Sequence, residues 1–191
     1  MPKGTTQTRL NNIAKENATV TIENLNYDEC VRMAAKEAAE TEHGIMVQDT
    51  AWEGYEEIPT WIMQGYGTLA LEADHQLEAD ECRPTHIFIQ AGVGSLAGAV
   101  VGYFSNLYAD NLPTFVVVEA EAAACLYKGA AAGESGAAPF GALAAMMTMD
   151  EYKDLRNDIG LDENSKVLLF STEGDTDPDR YKNIVWKGLD K

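Results

Sequence analysis

The sequence predicts an α/β fold of three layers, in which helices flank a mostly parallel sheet. Short apolar runs typical of β-strands alternate along the chain with longer segments of helical periodicity. Strands separated by helices imply crossover connections, and these produce parallel pairing with both faces of the sheet covered. The length of 191 residues and the apolar fraction of 46% are sufficient for a sizeable core.

The first quarter of the chain already shows the alternation. The runs ATVTIEN and IMVQD are rich in β-branched residues, which favours strands. The segment between them has apolar residues at helical spacing, and Asn26 or Asp28 is suited to cap its helix. The predicted elements are a helix at residues 6–17, a strand at 18–24, a helix ending at 40 and a short strand at 45–49.

The remainder of the chain continues the pattern after an irregular stretch, TAWEGYEEIP. Its first helix contains Tyr66, whose spacing favours core packing, with substrate contact as the alternative. Gly160 is suited to end the last helix. The predicted elements are a helix at residues 60–78, a strand at 85–90, a helix at 96–107, a strand at 114–120, a helix beginning near 135, a helix at 150–160 and a strand at 166–170.

Acidic residues dominate the charge, with 31 Asp and Glu against 14 Lys and Arg and a formal net charge of −17. Such a field repels nucleic acid and anionic membranes, so neither is expected as a partner. The three cysteines are far apart and lack partners at metal-ligand spacing, which predicts reduced thiols, no metal site and a cytoplasmic protein. We find no signal peptide and no apolar run of membrane-spanning length.

A glycine-rich turn follows the apolar strand HIFIQ and leads directly into a helix. Amide groups of such a turn, together with the positive end of the helix, bind a phosphate. The letters GVGSLA also satisfy the dinucleotide motif, with Glu119 placed where a ribose-binding acid would lie. The pattern therefore predicts an anion site without deciding which phosphate it binds, and glycines that merely allow close packing are the alternative.

Longer stretches distinguish between these cofactors. VQDTAWEGYEEIPTWIMQGYGTLALE, PTHIFIQAGVGSLAGAV, GESGA and LLFSTEGDTDPDRY, together with the opening MPKGTTQTRLNNI and the NYDECVR segment, occur in one order. In this order they resemble the diaminopropionate ammonia-lyase family, pyridoxal-phosphate enzymes of fold type II. The resemblance implies an incomplete version of that architecture. It also implies pyridoxal 5'-phosphate as cofactor and 2,3-diaminopropionate as substrate.

The resemblance also assigns residues. It implies α,β-elimination that yields pyruvate and ammonia, with Asp49 in acid/base work on the substrate. Without the family, Asp49 could equally cap the following turn. A hydroxyl at the pyridine nitrogen leaves that nitrogen largely unprotonated, which suits elimination. The residues implied to bind the cofactor are Gly92, Val93, Gly94 and Ser95 at the phosphate, Ser171 or Thr172 at the ring nitrogen, and Glu134 nearby.

The chain also departs from the family. The Schiff-base lysine is expected upstream of the MPKG segment, in a part that this sequence lacks, so turnover by this chain alone is expected to be lost or very slow. Lys128 is expected at the surface. We expect residues 1–55 to be a remnant of the small domain and residues 56–191 to form a large domain shortened near 128–134. A homodimer or a completing second chain is expected by analogy. The alternative functions are a non-catalytic ligand-binding or subunit-interaction protein and, more weakly, an NAD-binding domain.

Overall fold

The structure, a computed structural model, describes residues 1–119 and 134–172. Its contacts divide the chain into two compact units, one formed by Met1–Gln48 and the other by the described residues from Asp49 onward. The helices are α1 (Gln7–Ala14), α2 (Tyr27–Glu40), α3 (Glu57–Ala79), α4 (Ser95–Leu107), α5 (Glu134–Thr148) and α6 (Lys153–Asp158), and the strands are β1 (His86–Gln90), β2 (Thr114–Val118) and β3 (Val167–Leu169).

The three strands form a parallel sheet in the order β2-β1-β3. Phe88 of the central strand pairs with Val116 on one side and Leu169 on the other. All five residues of β1 are buried, as expected for a strand covered on both faces. Helices α4 and α5 contact β1, and α3 packs on α4. The predicted α/β class, with a parallel sheet flanked by helices, is therefore confirmed.

The core of this unit lies between β1 and the two helices α3 and α4. Ile87, Val100 and Phe104 are fully buried in it, and Ala70 of α3 is buried against them. The ring of Phe104 lies 6.4 Å from that of Phe170, which follows β3. Large apolar side chains at helical spacing on α4 therefore anchor this helix against the strand, and they hold its first turn at the carboxyl end of β1.

The unit Met1–Gln48 contains helices but none of the predicted strands. Asn26 caps α2 in a reciprocal capping box with Glu29, as its sequence suggested. Residues 18–24 bond to the first residues of the chain, where Glu23 N–H donates to the Met1 carbonyl at 2.8 Å, without forming a regular strand. Residues 45–49 are not a strand either, and Ile45 is 72% exposed. A regular strand needs a run of paired residues and a covered face, whereas residues 18–24 make only isolated bonds to the first residues of the chain and none of them is buried.

No helix in the described ranges combines the length and the apolar character needed to cross a bilayer.

Candidate functional site

The turn between β1 and α4 has the backbone geometry of an anion cradle. Gly94 has φ +90°, a left-handed conformation that favours glycine, and α4 begins at the next residue. A Cβ added at Gly92 or Gly94 would meet no atom within 4 Å, so open space lies beside both positions. The N-cap residue of α4, Gly94, makes no side-chain capping hydrogen bond. The amides of its first turn, which have no partner within the helix, are therefore available to a ligand.

A cavity of about 360 Å³ opens at this turn. Its size lies within the range of small-molecule sites, which begins at about 300 Å³. It lies at the carboxyl end of the central parallel strand, where α/β folds place their ligands. The lining residues are Asp49, Tyr66, Gln90, Ala91, Gly92, Val93, Gly94, Ser95, Leu96, Ala97 and Thr172. The fold thus brings together Asp49, the glycine turn and Thr172, which are distant in sequence.

Asp49 is held in this cavity by two hydroxyl groups. Ser95 Oγ donates a hydrogen bond to Asp49 Oδ2 at 2.7 Å, and Ser95 is only 5% exposed. The hydroxyl of Tyr66 also hydrogen-bonds to the side chain of Asp49. The Ser95 side chain is thereby committed to the carboxylate, so its contribution to anion binding would come from its backbone amide.

Tyr66 was expected to be a packing residue, and its contact with Asp49 gives it a different environment. Burial raises the pKa of the Tyr66 hydroxyl, and the negative charge of Asp49 and the hydrogen bond to it raise the pKa further. The phenol is therefore kept neutral, and it serves as a donor to the carboxylate.

We expect Tyr66→Phe to lower the free energy of unfolding by about 1 kcal/mol near pH 8, because it removes one hydrogen bond to a carboxylate. The folded pKa lies above the unfolded value of 10.0. The stabilisation is therefore complete below about pH 10 and is lost as the pH rises through the folded pKa. Denaturant unfolding of both proteins between pH 8 and 11 measures this difference.

Tyr27→Phe is the control for this experiment, since Tyr27 is 55% exposed. This variant should follow the wild-type profile throughout. A difference between Tyr66→Phe and wild type that stays constant from pH 8 to 11 would contradict the assigned contact.

Gln90 and Thr172 form a second polar pair in the lining. Gln90 Nε2 donates to Thr172 Oγ1 at 2.8 Å, although Gln90 is only 6% exposed. The other amide atom of this side chain, Oε1, is buried and has no hydrogen-bond partner among the described residues. Thr172 lines the cavity and Ser171 does not, so the geometry favours Thr172 of the two predicted hydroxyls.

Of the other described residues singled out in the sequence, only Val93 is found in the lining of the cavity. Val93 lines the cavity and is 47% exposed. Glu134 is the first residue of α5, and its side chain lies outside the described part of the structure, as does Lys128. Glu119 is exposed and is not in the lining. In the described ranges, His, Cys, Asp and Glu form no cluster suited to a metal.

Sequence reasoning missed Tyr66 and Gln90 as site residues. A glutamine directly after three buried apolar residues was a usable signal, because buried polar groups cost free energy unless they are paired. Tyr66 carried no comparable signal, since its spacing on α3 is also that of a packing residue.

Comparisons with known proteins show the family to which this chain belongs. Residues 1–167 match the family described as pyridoxal-phosphate dependent enzyme. Diaminopropionate ammonia-lyase from Salmonella typhimurium is 39% identical over 256 aligned positions, and that from Escherichia coli is 33% identical over 253. These alignments cover 98% of this chain and 63% of each relative. Because 256 positions exceed 191 residues, the Salmonella enzyme contains residues with no counterpart here.

Solved structures of the Escherichia coli diaminopropionate ammonia-lyase are similar over nearly the whole chain. The apo form has a TM-score of 0.88 at 38% identity and covers 99% of this chain and 62% of its own. A complex with an aminoacrylate-PLP azomethine reaction intermediate has a TM-score of 0.87 at 34% identity, covering 99% of this chain and 65% of its own. The chain thus spans a little under two thirds of these relatives, and it belongs to the pyridoxal-phosphate dependent enzyme family as a relative of diaminopropionate ammonia-lyase.

Proposed function

We propose that this chain binds pyridoxal 5'-phosphate in the cavity at the start of α4 and serves the α,β-elimination of ammonia from 2,3-diaminopropionate. The observation that carries the proposal is the placement of the Asp49 carboxylate beside an uncapped, glycine-lined helix start. A phosphate site and a group able to move protons are thereby adjacent in one cavity.

The described residues fit the cofactor's phosphate. Open space at Gly92 and Gly94 leaves room for a phosphate monoester against the backbone. The described lining contains no lysine or arginine, so amides and the helix dipole would provide the attraction. We assign this role to the backbone of Gly92, Val93, Gly94 and Ser95.

The hydroxyl of Thr172 is suited to the ring nitrogen of the cofactor. It lies in the same cavity as the glycine turn. A neutral hydroxyl does not stabilise a protonated pyridine as a carboxylate would, and this matches elimination better than transamination. Glu134 stays a prediction for the neighbourhood of the ring.

When bound, pyridoxal phosphate supplies an electron sink for negative charge at the substrate α-carbon. Asp49 then has two tasks that its position allows, namely moving a proton at the substrate and holding the departing amino group as a cation. Ser95 and Tyr66 orient its carboxylate. A negative side chain also suits a substrate with two amino groups.

A lysine for the cofactor aldehyde is not among the described lining residues. The proposed reaction therefore depends on a lysine from outside the described part of the chain or from a second chain, and a homodimer is one such arrangement. The same observation supports the second candidate function, in which the chain binds the cofactor or a partner without catalysis. We expect a cytoplasmic location under either function, the lyase or the non-catalytic one.

The experiment compares pyridoxal phosphate with pyridoxal, which lacks the phosphate. We expect the phosphate ester, and not pyridoxal, to raise the melting temperature in proportion to the logarithm of its concentration at saturating levels. We further expect the loaded protein to release pyruvate and ammonia from 2,3-diaminopropionate. Absence of any stabilisation would contradict cofactor binding, whereas stabilisation without pyruvate would favour the non-catalytic function over the lyase.

A further inference from the structure

Gln90 is a buried polar residue at the carboxyl end of β1, and neither the cofactor's phosphate nor Asp49 explains its presence. It ends β1 at 6% exposure, and the preceding Ile87, Phe88 and Ile89 are fully buried. Its single described side-chain hydrogen bond goes to Thr172 at 2.8 Å.

This arrangement costs free energy, because the amide oxygen of Gln90 is left without a hydrogen bond in the described part of the chain. Oε1 of Gln90 is buried without a partner among the described residues, and an unpaired buried carbonyl oxygen destabilises a fold. An apolar side chain of similar length would remove that cost. Residues that break a local rule of stability in this way occur preferentially at functional sites.

The bond to Thr172 has a specific chemical consequence. A threonine hydroxyl has one proton to donate and two lone pairs that accept. Because Gln90 Nε2–H donates to Oγ1, one lone pair is occupied and the hydroxyl proton stays available. The described residues offer that proton no acceptor, while Thr172 itself lines the cavity.

We propose that Gln90 is a positioning residue that sets the Thr172 hydroxyl as a donor toward the ring nitrogen of the cofactor, so that the site selects the unprotonated pyridine. This inference rests on the proposed function, since it assumes that the cavity takes pyridoxal phosphate. If the amide were reversed, Oε1 would accept the hydroxyl proton and Thr172 could only accept from a protonated ring. The two orientations therefore predict opposite preferences.

The test compares pyridoxal phosphate with its 1-deaza analogue, in which a C–H replaces the ring nitrogen. We expect the wild-type chain to bind pyridoxal phosphate about three- to tenfold more tightly, as one ordinary hydrogen bond would give. Gln90→Met should bind both compounds equally and should melt no lower than wild type, because it removes a buried unpaired oxygen. Isothermal titration and thermal unfolding measure these quantities.

A spectroscopic measurement separates positioning from a merely structural role. With ¹⁵N at the ring nitrogen, the wild-type complex should show the chemical shift of an unprotonated pyridine. Gln90→Glu keeps the shape but accepts the hydroxyl proton of Thr172, so the signal should move toward that of the protonated ring. Thr172→Val should bind pyridoxal phosphate and its 1-deaza analogue equally, whereas Thr172→Ser should keep the preference for the ring nitrogen. Thr172 is exposed, so neither substitution should prevent folding.

The outcomes distinguish this inference from the proposed function. Suppose that the wild-type chain binds pyridoxal phosphate and its 1-deaza analogue equally tightly, and still binds pyridoxal weakly. This result would overturn the role of Gln90 and leave cofactor binding intact. A protonated ring in the wild-type complex would also overturn it. Binding of neither compound would overturn the proposed function together with this inference.

Discussion

Gly92→Val is expected to weaken the binding of pyridoxal phosphate at least about 100-fold. The valine side chain would occupy the open space at Gly92, where an added Cβ meets no protein atom within 4 Å. A phosphate excluded from that space loses two or more charge-assisted hydrogen bonds, each of which contributes about 1.5 kcal/mol or more. Titration calorimetry of the variant and the wild-type chain measures the loss.

The fold should tolerate this substitution. Gly92, unlike Gly94, does not have a positive φ, and an added Cβ there meets no atom within 4 Å, so a side chain causes neither left-handed backbone strain nor a clash at its Cβ. We therefore expect the melting temperature without ligand to stay close to that of wild type.

Gly102→Val is the matched control, because it makes the same glycine-to-valine change at a position within α4, away from the glycine turn. Gly102 also has open space, and it does not line the cavity. It should bind pyridoxal phosphate like wild type. Wild-type affinity in Gly92→Val would show that the phosphate does not lie in the glycine turn.

The part of the fold that local sequence determines was predictable. The strand, turn and helix from His86 to Leu107 follow from an apolar run, glycines and small residues at helical spacing, and the structure places them within one residue of the prediction. Helix α3 begins at Glu57, three residues earlier than predicted, because Pro59 is accepted in a first turn. The prediction of strands at 18–24 and 45–49 was wrong, because strand formation depends on neighbours that a local pattern does not specify.

The same distinction holds for the site. The glycine turn could be identified from adjacent letters, whereas Asp49 and the hydroxyl at 171 or 172 required the resemblance to a known family. The contacts that give these residues their roles connect distant parts of the chain. Asp49 and Ser95 are separated by 46 positions, and Gln90 and Thr172 by 82. The second pair arises from the parallel sheet, because β1 and β3 are neighbours whose carboxyl ends lie at one edge.

Asp49→Asn is expected to slow pyruvate release from 2,3-diaminopropionate by about 10²- to 10⁴-fold, the usual contribution of a positioned acid or base. Asparagine keeps an oxygen that can accept the hydrogen bond from Ser95, so the cavity should keep its shape. It has neither the negative charge nor the proton affinity of the carboxylate. Affinity for pyridoxal phosphate should therefore stay within about threefold of wild type, since the glycine turn is unchanged.

Asp74→Asn makes the same chemical change outside the cavity. Asp74 is 7% exposed and accepts a hydrogen bond from the Tyr103 hydroxyl at 3.0 Å, which an amide oxygen can also accept. Its rate of pyruvate release should stay within about twofold of wild type. Undiminished release in Asp49→Asn would assign the proton transfer to another group. A parallel loss of cofactor affinity would instead make Asp49 a part of the binding site, because a group that acts only on the substrate proton changes the rate and leaves the cofactor equilibrium alone.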